Sequence, residues 1–93
     1  MADKCAEDGV DAIGVGEMGI GNTTTSAAVL SAFTGKPASV TAGKGGGLLE
    51  DAYRHKLEVI DGAIEKHKPN PEDPIDVLAK VGGLDICAMA GVF

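Results

Sequence analysis

The chain is 93 residues long, with a formal net charge of −6, 44% hydrophobic and 24% charged residues, so it reads as one small globular unit and not as a disordered tail. Its acidic balance and its few aromatic residues, Phe33, Tyr53 and Phe93, exclude a protein that tracks a phosphodiester backbone or stacks bases, so no nucleic-acid partner is expected. No signal peptide and no run of 18 apolar residues is found, which argues against a membrane partner and places the chain in the cytosol.

Ala2 to Asp8 reads as the last turns of a helix closed by Gly9. Asp11 to Glu17 reads as a strand of small and apolar residues without alternation, the pattern of a strand covered on both faces in a parallel sheet. A glycine-rich turn, Gly14, Gly16, Gly19 and Gly21, then leads into a helix from Thr23 to Phe33, opened by Asn22 and the threonines and stopped at Thr34-Gly35. From Lys36 to Gly47, Pro37 and Gly43, Gly45, Gly46 and Gly47 predict a loop with a brief extended piece at Ser39 to Thr41. Leu49, Tyr53, Leu57, Ile60 and Ile64 recur at helical spacing and predict a helix over Leu48 to His67. Pro69, Pro71 and Pro74 end it. Asp73 then caps a helix from Pro74 through Lys80, Gly82-Gly83 breaks that helix, and Leu84 to Phe93 reads as a helix start, with a strand as the alternative. The apolar finish at Gly91-Val92-Phe93 reads as an internal cut in a longer chain.

Cys5 and Cys87 lie in no metal-ligand spacing and read as small apolar thiols of a packed interior. His55 and His67, twelve residues apart, form no helical metal pair and read as surface or helix-end residues, so no metal is expected.

The turn from strand to helix is the feature that carries chemistry. The first turn of a helix has unpaired N–H groups and the positive end of the dipole, so a phosphate is the expected guest. Gly14, Gly16 and Gly19 spell GxGxxG, yet no acid lies at the distance a dinucleotide ribose requires, because Met18 to Leu49 contains no Asp or Glu. Gly16 to Thr23 also approximates a Walker A loop, with Asn22 where the lysine belongs, which argues against nucleoside triphosphate hydrolysis. The acid-free window carries +2 from Lys36 and Lys44 while its flanks carry −4 each, a distribution suited to a small phosphorylated ligand. On a wheel at about 100° per residue with Leu49 at zero, Ile60 falls at about 20° and Lys56 at about −20°. A charge in mid-stripe must snorkel, pair with an acid or meet an anion. Glu17, at the predicted strand end, is suited to accepting hydroxyl hydrogen bonds from a ribose or to moving a proton.

GEMGIGNTT from Gly16 to Thr24, GKGGGL from Gly43 to Leu48 and DVLAKVGGLDICAMAG from Asp76 to Gly91 together resemble the nicotinate-nucleotide:dimethylbenzimidazole phosphoribosyltransferase family of cobalamin biosynthesis. The resemblance implies an α/β protein, part of a parallel sheet flanked by helices in a Rossmann-like three-layer arrangement, helix-rich in this stretch. Residues 1–93 would then be a partial domain of a longer, homodimeric enzyme. It further implies transfer of phosphoribose from nicotinate mononucleotide to a benzimidazole-type base, giving alpha-ribazole phosphate and nicotinate, with no cofactor. By position, Glu17 would contact the ribose or serve as an auxiliary base. Gly19, Gly21, Asn22, Thr23, Gly45, Gly46, Gly47 and Lys56 would bind phosphate and ribose. The family's main catalytic carboxylate lies in a C-terminal part with no counterpart here, so the chain alone is expected to be inactive. The competing reading from the residues is a non-catalytic module that binds a phosphorylated ligand or nucleotide.

Overall fold

The computed structural model describes residues 1–93, and every regular element in it is a helix: α1 (Ala2–Glu7), α2 (Asn22–Thr34), α3 (Ala38–Thr41), α4 (Glu50–His67), α5 (Pro74–Val81) and α6 (Leu84–Ala90). The predicted α/β class, with its parallel sheet and three-layer Rossmann-like arrangement, is therefore corrected. No strand is present. A strand is stabilised by ladder hydrogen bonds to a neighbour, and this chain offers Asp11–Glu17 none. Between Asp11 and Ile20 no backbone–backbone hydrogen bond forms, and the whole segment is exposed, Ile13 and Val15 included. The lack of alternation that suggested a strand covered on both faces here belongs to a segment covered on neither.

The helices predicted from the sequence lie within one to three residues of their predicted bounds, and their ends show why. Gly35 closes α2 in the left-handed conformation, with its N–H donating to the Ser31 carbonyl at 2.9 Å. Lys68 adopts the same conformation after α4, at φ 45, just before Pro69. Asp73 caps α5: its carboxylate accepts from the N–H groups of Ile75 and Asp76, and Pro74 fills the first helical position. Lys80 ties α5 back to the connector by donating to Asp76 at 2.8 Å and to the Lys68 carbonyl at 3.3 Å, while the Asn70 N–H donates to Asp76. These bonds hold the Asp76 carboxyl below its usual range.

The extended piece expected at Ser39–Thr41 is instead the single turn α3. Pro37, at φ −67, pre-sets its entry, and Asp61 of α4 accepts the Ala38 N–H at 2.8 Å. A carboxylate more than twenty residues away in the chain thus supplies a cap that local sequence does not reveal.

α2 is the hub. Ala27, Ala28 and Ala32 face α3, α4 and α5, where they meet Ala38, Ala42, Ile60, Val77 and Val81 in the core. The four buried positions of α2 are all alanine or serine, which lets helices approach closely, and Ser31, 2% exposed, shares a short hydrogen bond with Thr41. Ile60 and Val77 are fully enclosed, each worth about 1.5–3 kcal/mol of transfer free energy. Leu30 and Phe33 are exposed, and both cysteines, read as thiols of a packed interior, are only half-buried.

The helices make an open slab of 49 × 30 × 16 Å, with an accessible surface of 6367 Å². A folded monomer of this mass would show about 5,000 Å². Packing therefore leaves a thin core, and caps carry a larger share of the stability. Removing the Asp73 cap by Asp73→Ala is expected to lower unfolding stability by about 1 kcal/mol in urea titration, with the slope unchanged.

Candidate functional site

The predicted amphipathic stripe of α4 places Lys56 beside Ile60, and the side chain is indeed enclosed, at 6% exposure. It does not snorkel and meets no carboxylate: its Nζ donates to Thr23 Oγ1 at 3.0 Å and to the Gly43 carbonyl at 2.9 Å. An ammonium has three N–H donors, and these neutral oxygens take two. Thr23, having accepted through its oxygen, keeps its own O–H to donate.

The second component is the start of α2. Gly21 is its N-cap in the left-handed conformation at φ 74, no side chain caps the helix, and no acid sits in its first turn. Asn22 turns inward, its carbonyl and side-chain oxygens both accepting from Thr25 Oγ1 at 3.0 Å. The first-turn N–H groups of a 13-residue helix therefore open beside Thr23 and Lys56, with the positive dipole end among them.

The third component is the glycine loop. Gly45, at φ +63, passes so close that a Cβ there would lie 3.0 Å from Thr23 Oγ1 and 3.7 Å from Lys56 Nζ. Both its conformation and that approach require glycine. Gly47 also takes a positive φ, of +90, while a Cβ on Gly46 or Gly47 would meet nothing within 4 Å.

Of the predicted site residues, then, Thr23, Gly45 and Lys56 form one cluster, with Gly21 and Asn22 at its edge and Gly46 and Gly47 in the loop above. Gly19 and Glu17 stand apart. The Glu17 carboxylate folds back to accept the Gly19 N–H, and no hydrogen bond links either residue to Lys56. In this arrangement Glu17 orders the turn and consumes the Gly19 amide that sequence reasoning assigned to phosphate. The same reasoning missed the Gly43 carbonyl, because a backbone oxygen leaves no mark in a sequence. It also missed Gly83, where a Cβ would fall 3.0 Å from Thr25 Oγ1 and 2.4 Å from Asp85 Oδ1, so that the start of α6 packs on the start of α2. The Gly82-Gly83 pair was legible only as a helix break.

Lys44 and Glu50 close the base of the loop with a 2.9 Å ion pair, which holds the Glu50 carboxyl below and the Lys44 ammonium above their usual values. No group of three or more His, Cys, Asp and Glu side chains is gathered as for a metal ion, and no helix is long and apolar enough to cross a membrane. What the cluster offers is donors: ammonium, hydroxyl and helix N–H groups, with a glycine backbone above. That set suits a compact anion with several acceptor oxygens.

The phosphoribosyltransferase family model matches residues 1–93. A protein of Clostridium acetobutylicum named nicotinate-nucleotide:dimethylbenzimidazole phosphoribosyltransferase is 55% identical over 87 residues, covering 94% of this chain and 25% of the relative. Proteins of the same name from Ruminiclostridium cellulolyticum and Chloroflexus aurantiacus are 54% identical over 90 residues and 48% over 91, covering 97% and 98% of this chain and 26% of each relative. The chain thus spans about a quarter of the length of the curated relatives it matches. No solved structure matches it.

Two outcomes test this geometry. Thr23→Val keeps shape but strips an acceptor from a buried ammonium, and is expected to cost about 1–3 kcal/mol in chemical denaturation. Glu50 gains its ion pair only when ionised, so the clasp contributes at pH above the unfolded carboxyl's value and is lost as pH falls through the depressed folded one. Carbon-detected NMR titration of the Glu50 carboxyl should give a midpoint below that of a free glutamate; a midpoint at or above it would show that no clasp forms in solution.

Proposed function

The chain belongs to the phosphoribosyltransferase family, and we propose that it supplies the phosphate-holding part of an enzyme that moves phosphoribose from nicotinate mononucleotide to a benzimidazole-type base. The observation that carries this reading is the buried Lys56 ammonium, bound only to neutral oxygens and set beside the uncapped start of α2. Burying a cation without an anionic partner is unfavourable, and a phosphate at that point would offset it.

In the reaction, the glycosidic bond from the ribose anomeric carbon to nicotinate breaks and a bond to the base nitrogen forms. The base gives up its N–H proton, and the products are alpha-ribazole phosphate and nicotinate. The contribution of these residues is positional. Lys56, Thr23, the Asn22–Thr23 amides and the Gly45–Gly47 backbone would grip the 5′-phosphate, fixing the anomeric carbon relative to the incoming nitrogen and turning a bimolecular encounter into a directed one. A grip made in ground and transition states alike lowers KM more than it raises kcat. Glu17, on the turn that leads into α2, would face the ribose hydroxyls or take up the proton from the base. Gly19 and Gly21 would shape that turn, since each holds a positive φ.

Isothermal titration of the intact enzyme with nicotinate mononucleotide tests the reading. Lys56→Ala is expected to weaken binding roughly 10- to 100-fold, the loss of one charge-assisted contact to phosphate. Unchanged affinity would remove Lys56 from the site. Binding without formation of nicotinate would favour the non-catalytic module instead.

A further inference from the structure

Three successive residues at the entrance to the glycine loop are each held by a side chain of α4. The Tyr53 hydroxyl donates to the Ala42 carbonyl at 2.9 Å, Lys56 Nζ donates to the Gly43 carbonyl at 2.9 Å, and Lys44 pairs with Glu50 at 2.9 Å. Tyr53 takes part at both ends, because Lys44 Nζ also lies over its ring, 5.7 Å from the centroid. It sits one turn before Lys56 and is half-buried, while Ala42 belongs to the core at 8% exposure. Tyr53 therefore links the packed end of α3 to the loop that carries Gly45.

The link matters because the loop beyond Ala42 is mostly glycine. Gly43, Gly45, Gly46 and Gly47 lose more conformational freedom on ordering than any other residues would. A loop so composed keeps the Gly43 carbonyl on Lys56 and Gly45 against Thr23 only if its first residues are fixed. A ligand that meets a fixed loop is spared the ordering cost, so the anchor strengthens binding without touching the ligand.

We propose that Tyr53 is a positioning residue for the Lys56 site: its hydroxyl fixes the Ala42 carbonyl, and through it sets the Gly43 carbonyl and the Gly45–Gly47 backbone where they and Lys56 meet the phosphate. The proposal rests on the reading of Lys56 as a phosphate contact. Its consequence is selective. Loss of the anchor weakens affinity for the phosphorylated substrate and leaves the chemical step and the acceptor base unaffected.

Tyr53→Phe in the intact enzyme removes the hydroxyl and keeps the ring under Lys44. The expected result is a rise of roughly fivefold in Kd and KM for nicotinate mononucleotide, as for one neutral hydrogen bond. kcat and the KM for the base should stay within about twofold, since uniform binding is what is lost. Lys56→Ala is measured alongside. If Lys56→Ala weakens binding and Tyr53→Phe does not, the positioning role is overturned and the phosphate site stands. If neither weakens it, both fall. If Tyr53→Phe lowers kcat, both affinities and Tm together, Tyr53 is a structural residue only and the proposal is equally overturned.

Discussion

The arrangement depends on one constraint, the placement of a lysine ammonium at a point where water is largely excluded. Lys56 is carried there by the apolar stripe of α4, one turn before the enclosed Ile60. The charged end must then be satisfied by oxygen. Thr23 supplies it from the first turn of α2 and Gly43 from the loop, so the two segments richest in phosphate-site signals are pulled to one atom. Helix, helix start and loop converge because a single buried charge requires all of them.

The distribution of acids obeys the same logic. No Asp or Glu occurs from Met18 to Leu49, and the carboxylates that do structural work act away from Lys56: Asp61 at the start of α3, Asp73 and Asp76 at α5, Glu50 at the base of the loop. Each caps a helix, pins a connector or neutralises a lysine. None reaches Lys56. A carboxylate there would be the commonest way to satisfy a buried ammonium, and the proposed ligand role of Lys56 rests on its having neutral oxygens instead.

How much of this was legible depends on where the information resides. Helix ends were legible because they depend on near neighbours: Gly35, Pro69, Asp73 and Gly82 each act within a turn of their own position. The mid-stripe position of Lys56 was legible from periodicity alone. The strand was not, since apolar composition marks a residue as able to join a sheet while pairing requires a second segment, and Asp11–Glu17 has none in this chain. α3 was misread for a related reason: its stabilising partner, Asp61, lies on another helix. Gly19 was read as part of the turn and Glu17 as the end of the strand before it, but the Glu17 carboxylate closes on its own loop, a local choice that composition does not reveal.

The site and the core are held by different means. Of the 93 residues only ten are buried, and the largest fully buried side chains are Ile60, Val77 and Ser31, so apolar packing cannot fix a loop that contributes no side chain to it. Gly43 and Gly45 have nothing to bury; hydrogen bonds from α4 hold the carbonyls of Ala42 and Gly43, and Gly45 lies against Thr23. A loop ordered through polar ties is easier to open than a core and easier to perturb by a single hydroxyl. That combination would suit the proposed phosphate grip, which must close on an anion and still release it.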